Sequence, residues 1–325
     1  MCKLKFSMLA ALAMMSAPLA NAAPGTTELM NAGLLDYDNP GYSVTPSISS
    51  DGRYVVFTST GTTLVPGDTN SRADIFVYDR QAGTTERVSV DSYGGQANGE
   101  SMSGSISADG RFVSFLSRAS NLVPGDTNSA ADLFVHDRTS GLTERANVDT
   151  YGVQSNADTF ESAISATGRY VIFTSGASNL VPGDTNQVSD TFLRDRDTGT
   201  TERVGVGAGG VQGNGSSHSY AVSADGRYVT FGSTASNLVA GDTNGVDDTF
   251  VRDRQAGTTE RVNVGPTGKQ ALRSSQGADM SDDGRYVAFV GFPSELVPGD
   301  TGRFEQIFVR DRLLNITERA SVNNA

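Results

Sequence analysis

The stretch that decides the fold is Ser50-Asp51-Gly52-Arg53-Tyr54-Val55-Val56-Phe57. Asp-Gly is a strong signal for a tight hairpin turn, and the residues after it alternate with the period of a β-strand. Related strings recur at a constant interval of 58 residues, marked by Gly52, Gly110, Gly168, Gly226 and Gly284. Five copies without an insertion indicate one repeated structural unit.

Each unit is predicted to contain four short strands, which in the first unit cover residues 47–49, 53–59, 74–80 and 84–90. Val55 and Phe57 have Val and Phe counterparts in every unit, so their side of the second strand is the predicted packed face. Repeated four-stranded antiparallel units are typical of β-propeller blades, which remove exposed edges by closing into a ring. The predicted fold is therefore all-β, a single propeller domain over residues 23–325 with five blades. Six blades and an open β-solenoid are the alternatives.

The repeat also sets the predicted unit boundaries, approximately 42–99, 100–157, 158–215, 216–273 and 274–325. A further copy of the fourth-strand sequence, Gly25-Thr26-Thr27-Glu28, precedes residues 83–86 by the same interval. Residues 25–32 are therefore a candidate closure strand, which either overlaps the last blade as a latch or pairs elsewhere.

The chain opens with a predicted secretory signal peptide, residues 1–22. A short apolar run follows Lys3 and Lys5, and Ala20-Asn21-Ala22 fits cleavage before Ala23. The only cysteine of the chain lies in this segment, so the mature protein is predicted to have no thiol. No later stretch is apolar enough for a membrane span. We expect export to the periplasm or secretion from a bacterial cell.

The composition narrows the possible partners. The chain has 25 Lys+Arg and 37 Asp+Glu, a formal net charge of −12. Loss of two lysines with the signal peptide gives 23 − 37 = −14. This balance argues against nucleic acid as a partner, because neutralising phosphates requires clustered Lys and Arg.

Two linked motifs, Ser-x-Asp-Gly-Arg-Tyr-Val-x-Phe at residues 49–57 and Asp-x-Phe-Val-x-Asp-Arg at residues 74–80, carry a family resemblance. They resemble the WD40-like PD40 repeat of TolB-type propellers, over about residues 25–325. The resemblance implies an exported bacterial propeller, often a protein-interaction module, with peptidase or lyase chemistry in some relatives. The sequence departs from TolB itself in its longer units and in having no separate amino-terminal α/β domain.

The long connections of each unit, between strands two and three and between strand four and the next strand one, are predicted to lie on one face, because strands alternate in direction. The two-to-three loop carries Asp-x-Asn-x-x-x-Asp in four units, at Asp68, Asn70, Asp74, Asp126, Asn128, Asp132, Asp184, Asn186, Asp190, Asp242, Asn244 and Asp248. Alternate oxygen ligands in a tight loop suit calcium, so these residues are candidate metal ligands and calcium is the candidate cofactor. The alternative is turn chemistry, in which Asp and Asn side chains bond nearby backbone amides.

Other candidate residues favour structural roles. Asp79-Arg80 and Glu86-Arg87 recur in every unit and predict cross-strand ion pairs around the hairpin. His136 is predicted to be an exposed strand residue, and the Gly-rich residues 205–210 to connect blades without opening a helix. No Gly-x-Ser-x-Gly elbow occurs, and no catalytic residue is assigned.

These observations predict a non-enzymatic module that binds an envelope or extracellular protein, or a glycan. Abundant Gly, Asn and Ser in the loops suit a sugar ligand. One alternative is a carbohydrate-active enzyme, which needs two carboxylates about 5–10 Å apart in the central funnel. Another is a calcium-stiffened structural propeller with no discrete ligand.

Overall fold

A computed structural model describes residues 41–293, 296–297, 299 and 302–322. In this part, the chain forms twenty β-strands and no α-helix, and the strands make five antiparallel four-stranded sheets. This confirms the prediction of five four-stranded blades. No helix in the described ranges is long and apolar enough to span a bilayer. The predicted signal peptide and closure strand, residues 1–22 and 25–32, lie outside the described residues.

The strands are numbered in chain order, four to a blade. Blade 1 holds β1 (Ser43–Ile48), β2 (Tyr54–Ser59), β3 (Asp74–Asp79) and β4 (Thr84–Arg87). Blade 2 holds β5 (Ser101–Ile106), β6 (Phe112–Ser117), β7 (Asp132–Asp137) and β8 (Leu142–Arg145). Blade 3 holds β9 (Thr159–Ile164), β10 (Tyr170–Ser175), β11 (Asp190–Asp195) and β12 (Thr200–Arg203). Blade 4 holds β13 (Ser217–Val222), β14 (Tyr228–Ser233), β15 (Asp248–Asp253) and β16 (Thr258–Arg261), and blade 5 holds β17 (Gln276–Met280), β18 (Tyr286–Gly291), β19 (Gln306–Asp311) and β20 (Ile316–Arg319).

The described sheets are packed on the predicted face, which carries Val55 and Phe57 in blade 1, and on the opposite face, which contacts a neighbouring blade. On one face of blade 1, the rings of Phe57 and Phe76 stack across β2 and β3 with centroids 5.9 Å apart. On the other face, Val56 and Ile75 are fully buried in one cluster with residues of blade 2. The sequence pattern hides this second face because its residues vary, as Val56, Ser114, Ile172 and Thr230, all with no exposed area.

The blades converge on their first strands. β5 packs against β1, β2 and β3 of the preceding blade, and β9, β13 and β17 do the same one blade further on. The main contacts of each fourth strand are instead with the third strand of its own blade. The first strands therefore line a common axis, and the fourth strands lie outside. Among the described residues, blades 5 and 1 show no comparable strand contact, and closure of the ring stays a prediction.

The hairpin turns of blades 2 to 5 each meet the preceding blade closely. The backbone N–H of Ser50 donates to the carbonyl of Ala108 at 3.0 Å. Gly110 in that turn has a φ of +73°, and an added Cβ would lie 2.1 Å from Cδ2 of Tyr54. Only glycine satisfies both the left-handed backbone and this contact.

Candidate functional site

The two long loops of each blade lie together at one end of the fold. Gln96 of a four-to-one loop donates from Nε2 to Oδ1 of Asp68 in the two-to-three loop at 2.9 Å. Asn121 of the next blade donates from Nδ2 to the Gln96 carbonyl at 2.8 Å. The hydrogen bonds therefore link the loops within and between blades, as expected for connections that share a face.

The predicted metal ligands of blade 1 face an arginine. Nη1 of Arg87 lies 3.6 Å from Oδ1 of Asp68 and 3.8 Å from Oδ2 of Asp74. Nδ2 of Asn70 donates to Oδ2 of Asp74 at 3.1 Å and to the Ala97 carbonyl at 3.0 Å. A guanidinium and an amide nitrogen are donors, so positive charge already lies beside these carboxylates.

The other predicted ligands are arranged in the same way. Nη1 of Arg145 lies 3.4 and 3.1 Å from Asp126 and Asp132, Nη1 of Arg203 lies 3.4 and 3.2 Å from Asp184 and Asp190, and Nη1 of Arg261 lies 3.2 and 3.0 Å from Asp242 and Asp248. The Nδ2 atoms of Asn128, Asn186 and Asn244 donate to Asp132, Asp190 and Asp248. Burial raises the pKa of Asp74, Asp126, Asp190 and Asp242 above the ordinary range.

The surroundings of these carboxylates suit an arginine side chain better than a calcium ion. The described ranges contain no group of three or more His, Cys, Asp or Glu side chains that could hold a metal ion. Calcium needs six to eight oxygen ligands, whereas the asparagine and arginine nitrogens point at the carboxylates in all four blades. Calcium binding stays a prediction, and the observed contacts already join the strands to the loops.

A second repeated set joins neighbouring blades. Arg138, directly after β7, lies over the Tyr54 ring of blade 1, 4.3 Å from its centroid, and donates from Nε to Glu86. Arg53 lies over the same ring at 4.7 Å, so two guanidiniums contact one aromatic ring. Equivalent junctions are formed by Arg196 with Phe112 and Glu144, by Arg254 with Tyr170 and Glu202, and by Arg312 with Tyr228 and Glu260.

Sequence reasoning missed these junctions, because it assigned the ion pairs to one hairpin. Asp79 instead pairs with Arg53, with Nη2 to Oδ2 at 2.7 Å, and Glu86 pairs with an arginine of the next blade. The pairs are structural, as predicted, but they act between blades as well as within them.

The exposed residues near the axis differ from blade to blade. Every first strand has a register shift, which a β-bulge produces. One position of these strands, repeated every 58 residues, holds Val44, Met102, Phe160, His218 and Gln276. Val44, Met102 and Phe160 are 43%, 38% and 54% exposed. Bulges re-aim side chains and are frequent next to functional sites. Because these residues follow the four-to-one loops, they lie at the loop end of the axis.

A group of polar residues in blades 3 and 4 adjoins this position. Nε2 of His218 lies 3.9 Å from Oδ2 of Asp247, whose Oδ1 is buried without a hydrogen-bond partner among the described residues. Burial raises the pKa of Asp247, with smaller contributions from nearby carboxylates including Glu161, while His218 opposes the shift. Burial and Asp247 raise the pKa of Tyr220 to about 12. We call these four residues, with Met102 and Phe160, the axial cluster.

His136 is not part of any such site. It is only 7% exposed, and its Nδ1 lies 2.8 Å from Oγ1 of Thr143. The prediction of an exposed strand residue was wrong, because every residue of β7 is buried between blades. Burial lowers the pKa of His136 and so favours the neutral form of the ring. The Gly-rich connector forms only a short 3-10 turn at Ala208–Gly210, as predicted without an α-helix.

The sheets, their order and the repeated junctions define the chain as a β-propeller. No protein-family model and no curated protein matches its sequence. Its fold is similar to putative TolB from Agrobacterium tumefaciens, with 18% identity and a TM-score of 0.51 over 86% of this chain and 80% of that chain. It is also similar to the β-propeller domain of the Trilobed protease from Pyrococcus furiosus, with 11% identity and a TM-score of 0.50 over 84% and 69%.

TolB from Acinetobacter baumannii aligns at 17% identity with a TM-score of 0.48 over 85% of this chain, which spans 53% of that longer chain. The match to putative TolB from Agrobacterium tumefaciens confirms the predicted resemblance to TolB-type propellers for the fold. At identities this low, the structural similarity establishes the fold alone, and ligands and activity have to be inferred from the site itself.

Proposed function

We propose that the chain is an exported, non-enzymatic binding module that holds a protein or glycan ligand over the loop end of its axis. One observation carries the proposal: at equivalent positions of a repeated framework, the exposed axial residues differ from blade to blade, as Met102 and Phe160 do. A repeated contact serves every junction equally, whereas a single ligand requires an asymmetric surface.

The chemistry of the axial cluster suits such a ligand. Met102 and Phe160 supply exposed apolar surface, and exposed apolar patches with a few polar groups are typical of binding sites. His218, Asp247 and Glu161 supply donors and acceptors beside it. An aromatic face next to carboxylates suits a sugar ring or a side chain of a partner protein.

The test is binding to a glycan array and to envelope proteins, with the mature chain as the probe. We expect the double substitution Met102→Ser, Phe160→Ser to lower binding about thirtyfold, since each removes about 1 kcal/mol of apolar contact. Leu142→Thr is the matched control, because Leu142 is exposed on an outer strand where blades 1, 3 and 4 carry threonine. Equal loss in both variants contradicts the proposal.

A carbohydrate-active enzyme remains the second candidate, favoured by the raised pKa of Asp247 near Glu161. A raised carboxyl pKa is what a general acid requires. If this candidate is correct, incubation with the glycans that bind releases shorter products, and Asp247→Asn abolishes release without abolishing binding. Intact glycans after incubation with the parent chain support the binding module.

Export is tested by expressing the full chain in a bacterial host and sequencing the amino terminus of the protein recovered outside the cytoplasm. A mature chain that begins at Ala23 supports the predicted leader. Recovery of uncleaved chain in the cytoplasm contradicts it.

A further inference from the structure

The blade junctions show one aromatic ring that is only half covered. In blades 1 to 4, the rings of Tyr54, Phe112, Tyr170 and Tyr228 each have one arginine of their own blade and one of the next blade over them. In blade 5, the equivalent ring is Tyr286. Among the arginines of the described ranges, only its neighbour Arg285 lies over this ring, 4.7 Å from the centroid.

The surroundings of this ring have the shape of an open junction. Tyr286 is 40% exposed, whereas Tyr170 is 9% exposed. Ile307 is 43% exposed, whereas its counterparts Ile75 and Leu133 have no exposed area. A cavity of about 230 Å³ lies beside the ring, and its lining includes Arg285, Tyr286, Val309, Ile316 and Glu318.

The carboxylate that completes each junction is also present. Glu318 in β20 is the counterpart of Glu86 in β4, which accepts a hydrogen bond from Arg138. Residues 1–40, 294–295, 298, 300–301 and 323–325, outside the described part, contain no arginine. The counterpart of Arg138 in blade 1 is Arg80, which donates to the Gly52 carbonyl of its own blade and does not lie over the Tyr286 ring.

We propose that the outer face of blade 5 is a binding site for an arginine side chain of a partner protein. The guanidinium lies against the Tyr286 ring and donates to Glu318, as Arg138 does with Tyr54 and Glu86. Apolar residues beside that arginine cover Ile307 and Val309. This surface is separate from the axial cluster and goes beyond the proposed function.

Two physical features select arginine in a protein rather than another cation. A planar guanidinium stacks on an aromatic ring while it donates to a carboxylate, whereas an ammonium does so poorly. Val309 and Ile316 line the cavity beside the ring, which favours a ligand with apolar groups next to its charge. The net charge of −12 attracts a cationic partner to this surface.

The test uses the full chain and a synthetic peptide with the sequence of residues 133–143 and blocked ends, in which Arg138 is the only arginine and balances the charge of Asp137. Binding is measured by fluorescence anisotropy of the labelled peptide at low ionic strength, beside a peptide with Arg138→Gln. We expect the Gln peptide to bind about fivefold more weakly, because it loses the ring and carboxylate contacts. A lysine peptide should lie between the two.

Variants of the chain locate the binding. We expect Glu318→Gln and Ile307→Lys each to weaken the arginine peptide about fivefold. Tyr286→Phe should keep its affinity, because Phe112 occupies this place in blade 2. Glu86→Gln, at a junction already filled by Arg138, is the matched control and should leave peptide binding unchanged.

Three results would each overturn the site. The first is no binding of the arginine peptide up to about 5 mM, which is the weak affinity expected of one side chain. The second is equal binding of the arginine and glutamine peptides, and the third is equal binding of the arginine peptide to the parent chain and to both variants. Melting curves of Glu318→Gln and Ile307→Lys beside the parent confirm that the folded chain is compared.

Discussion

Gly168 lies where the hairpin turn of blade 3 meets blade 2, and its replacement by alanine tests the packing between blades. The residue has a φ of +73°, and an added Cβ would lie 2.1 Å from Cδ2 and 2.7 Å from Cγ of Phe112. Because Cγ is at the base of the ring, the ring cannot move aside by a simple rotation. The left-handed backbone costs about 1 kcal/mol for alanine, and overpacking adds about 1–3 kcal/mol.

We therefore expect Gly168→Ala to lower the free energy of unfolding by about 2–4 kcal/mol. Gly183→Ala is the matched control, since Gly183 has a φ of +74° and an added Cβ would meet nothing within 4 Å. It should cost only the backbone contribution of about 1 kcal/mol. Guanidinium unfolding followed by far-UV circular dichroism measures both variants.

Equal losses in the two variants would refute the argument, because the contact with Phe112 would then contribute nothing. A double-substitution cycle adds a second check. Phe112→Ala removes the obstructing ring, so the excess cost of Gly168→Ala should disappear in that background.

Further predictions concern the ion pairs and the amino-terminal segment. Replacing Arg254 with Met should lower the unfolding free energy by about 1 kcal/mol, since Glu202 at this junction is half exposed, whereas Arg72→Met on an exposed loop should leave it unchanged. The hydrogen-bonded Arg169 lowers the pKa of Asp195 to about 2, so the folded state binds fewer protons than the unfolded state. The pair therefore adds about 1–2 kcal/mol to the free energy of unfolding above pH 4, and this stabilisation is lost as pH falls towards 2. Acid melting curves of Asp195→Asn should lack this loss. Because Arg203 lies between Asp184 and Asp190, we expect the same melting midpoint in calcium and in chelator, and a clear rise with calcium would support the metal prediction. Four junction arginines each pair with a glutamate 52 residues earlier in the chain. The same interval connects Arg80 with Glu28, which lies outside the described residues. Glu28→Arg should therefore lower the melting temperature, and adding Arg80→Glu should restore part of the loss.

The repeat made the fold predictable, because the Asp-Gly turn and the Val-x-Phe alternation place two strands in every unit at a constant interval. It could not reveal the junctions. In a strict repeat, each glutamate has one arginine six residues before it and another 52 residues after it, as Glu86 has Arg80 and Arg138. Both spacings occur equally often, so the sequence does not show which arginine pairs with the glutamate.

The same limit applies to both candidate sites. Asp68 and Asp74 have the spacing of metal ligands, and only the strand pairing shows that Arg87 comes between them from β4. The axial cluster depends on bulges, which shift the register of β9 at Phe160 and of β13 at Tyr220 without a signal in the sequence. The one sign in the sequence of a site at the axis is that equivalent positions hold different residues, such as Phe160 in blade 3 and His218 in blade 4.

The interval of 52 residues between the partners of each junction has a consequence for synthesis. An arginine meets its glutamate as soon as one further unit has emerged, so each blade can settle onto its predecessor without waiting for the carboxyl terminus. Assembly time should then scale with the length of one unit rather than of the whole polypeptide. Such stepwise docking would suit the proposed export, in which the chain crosses a membrane in extended form.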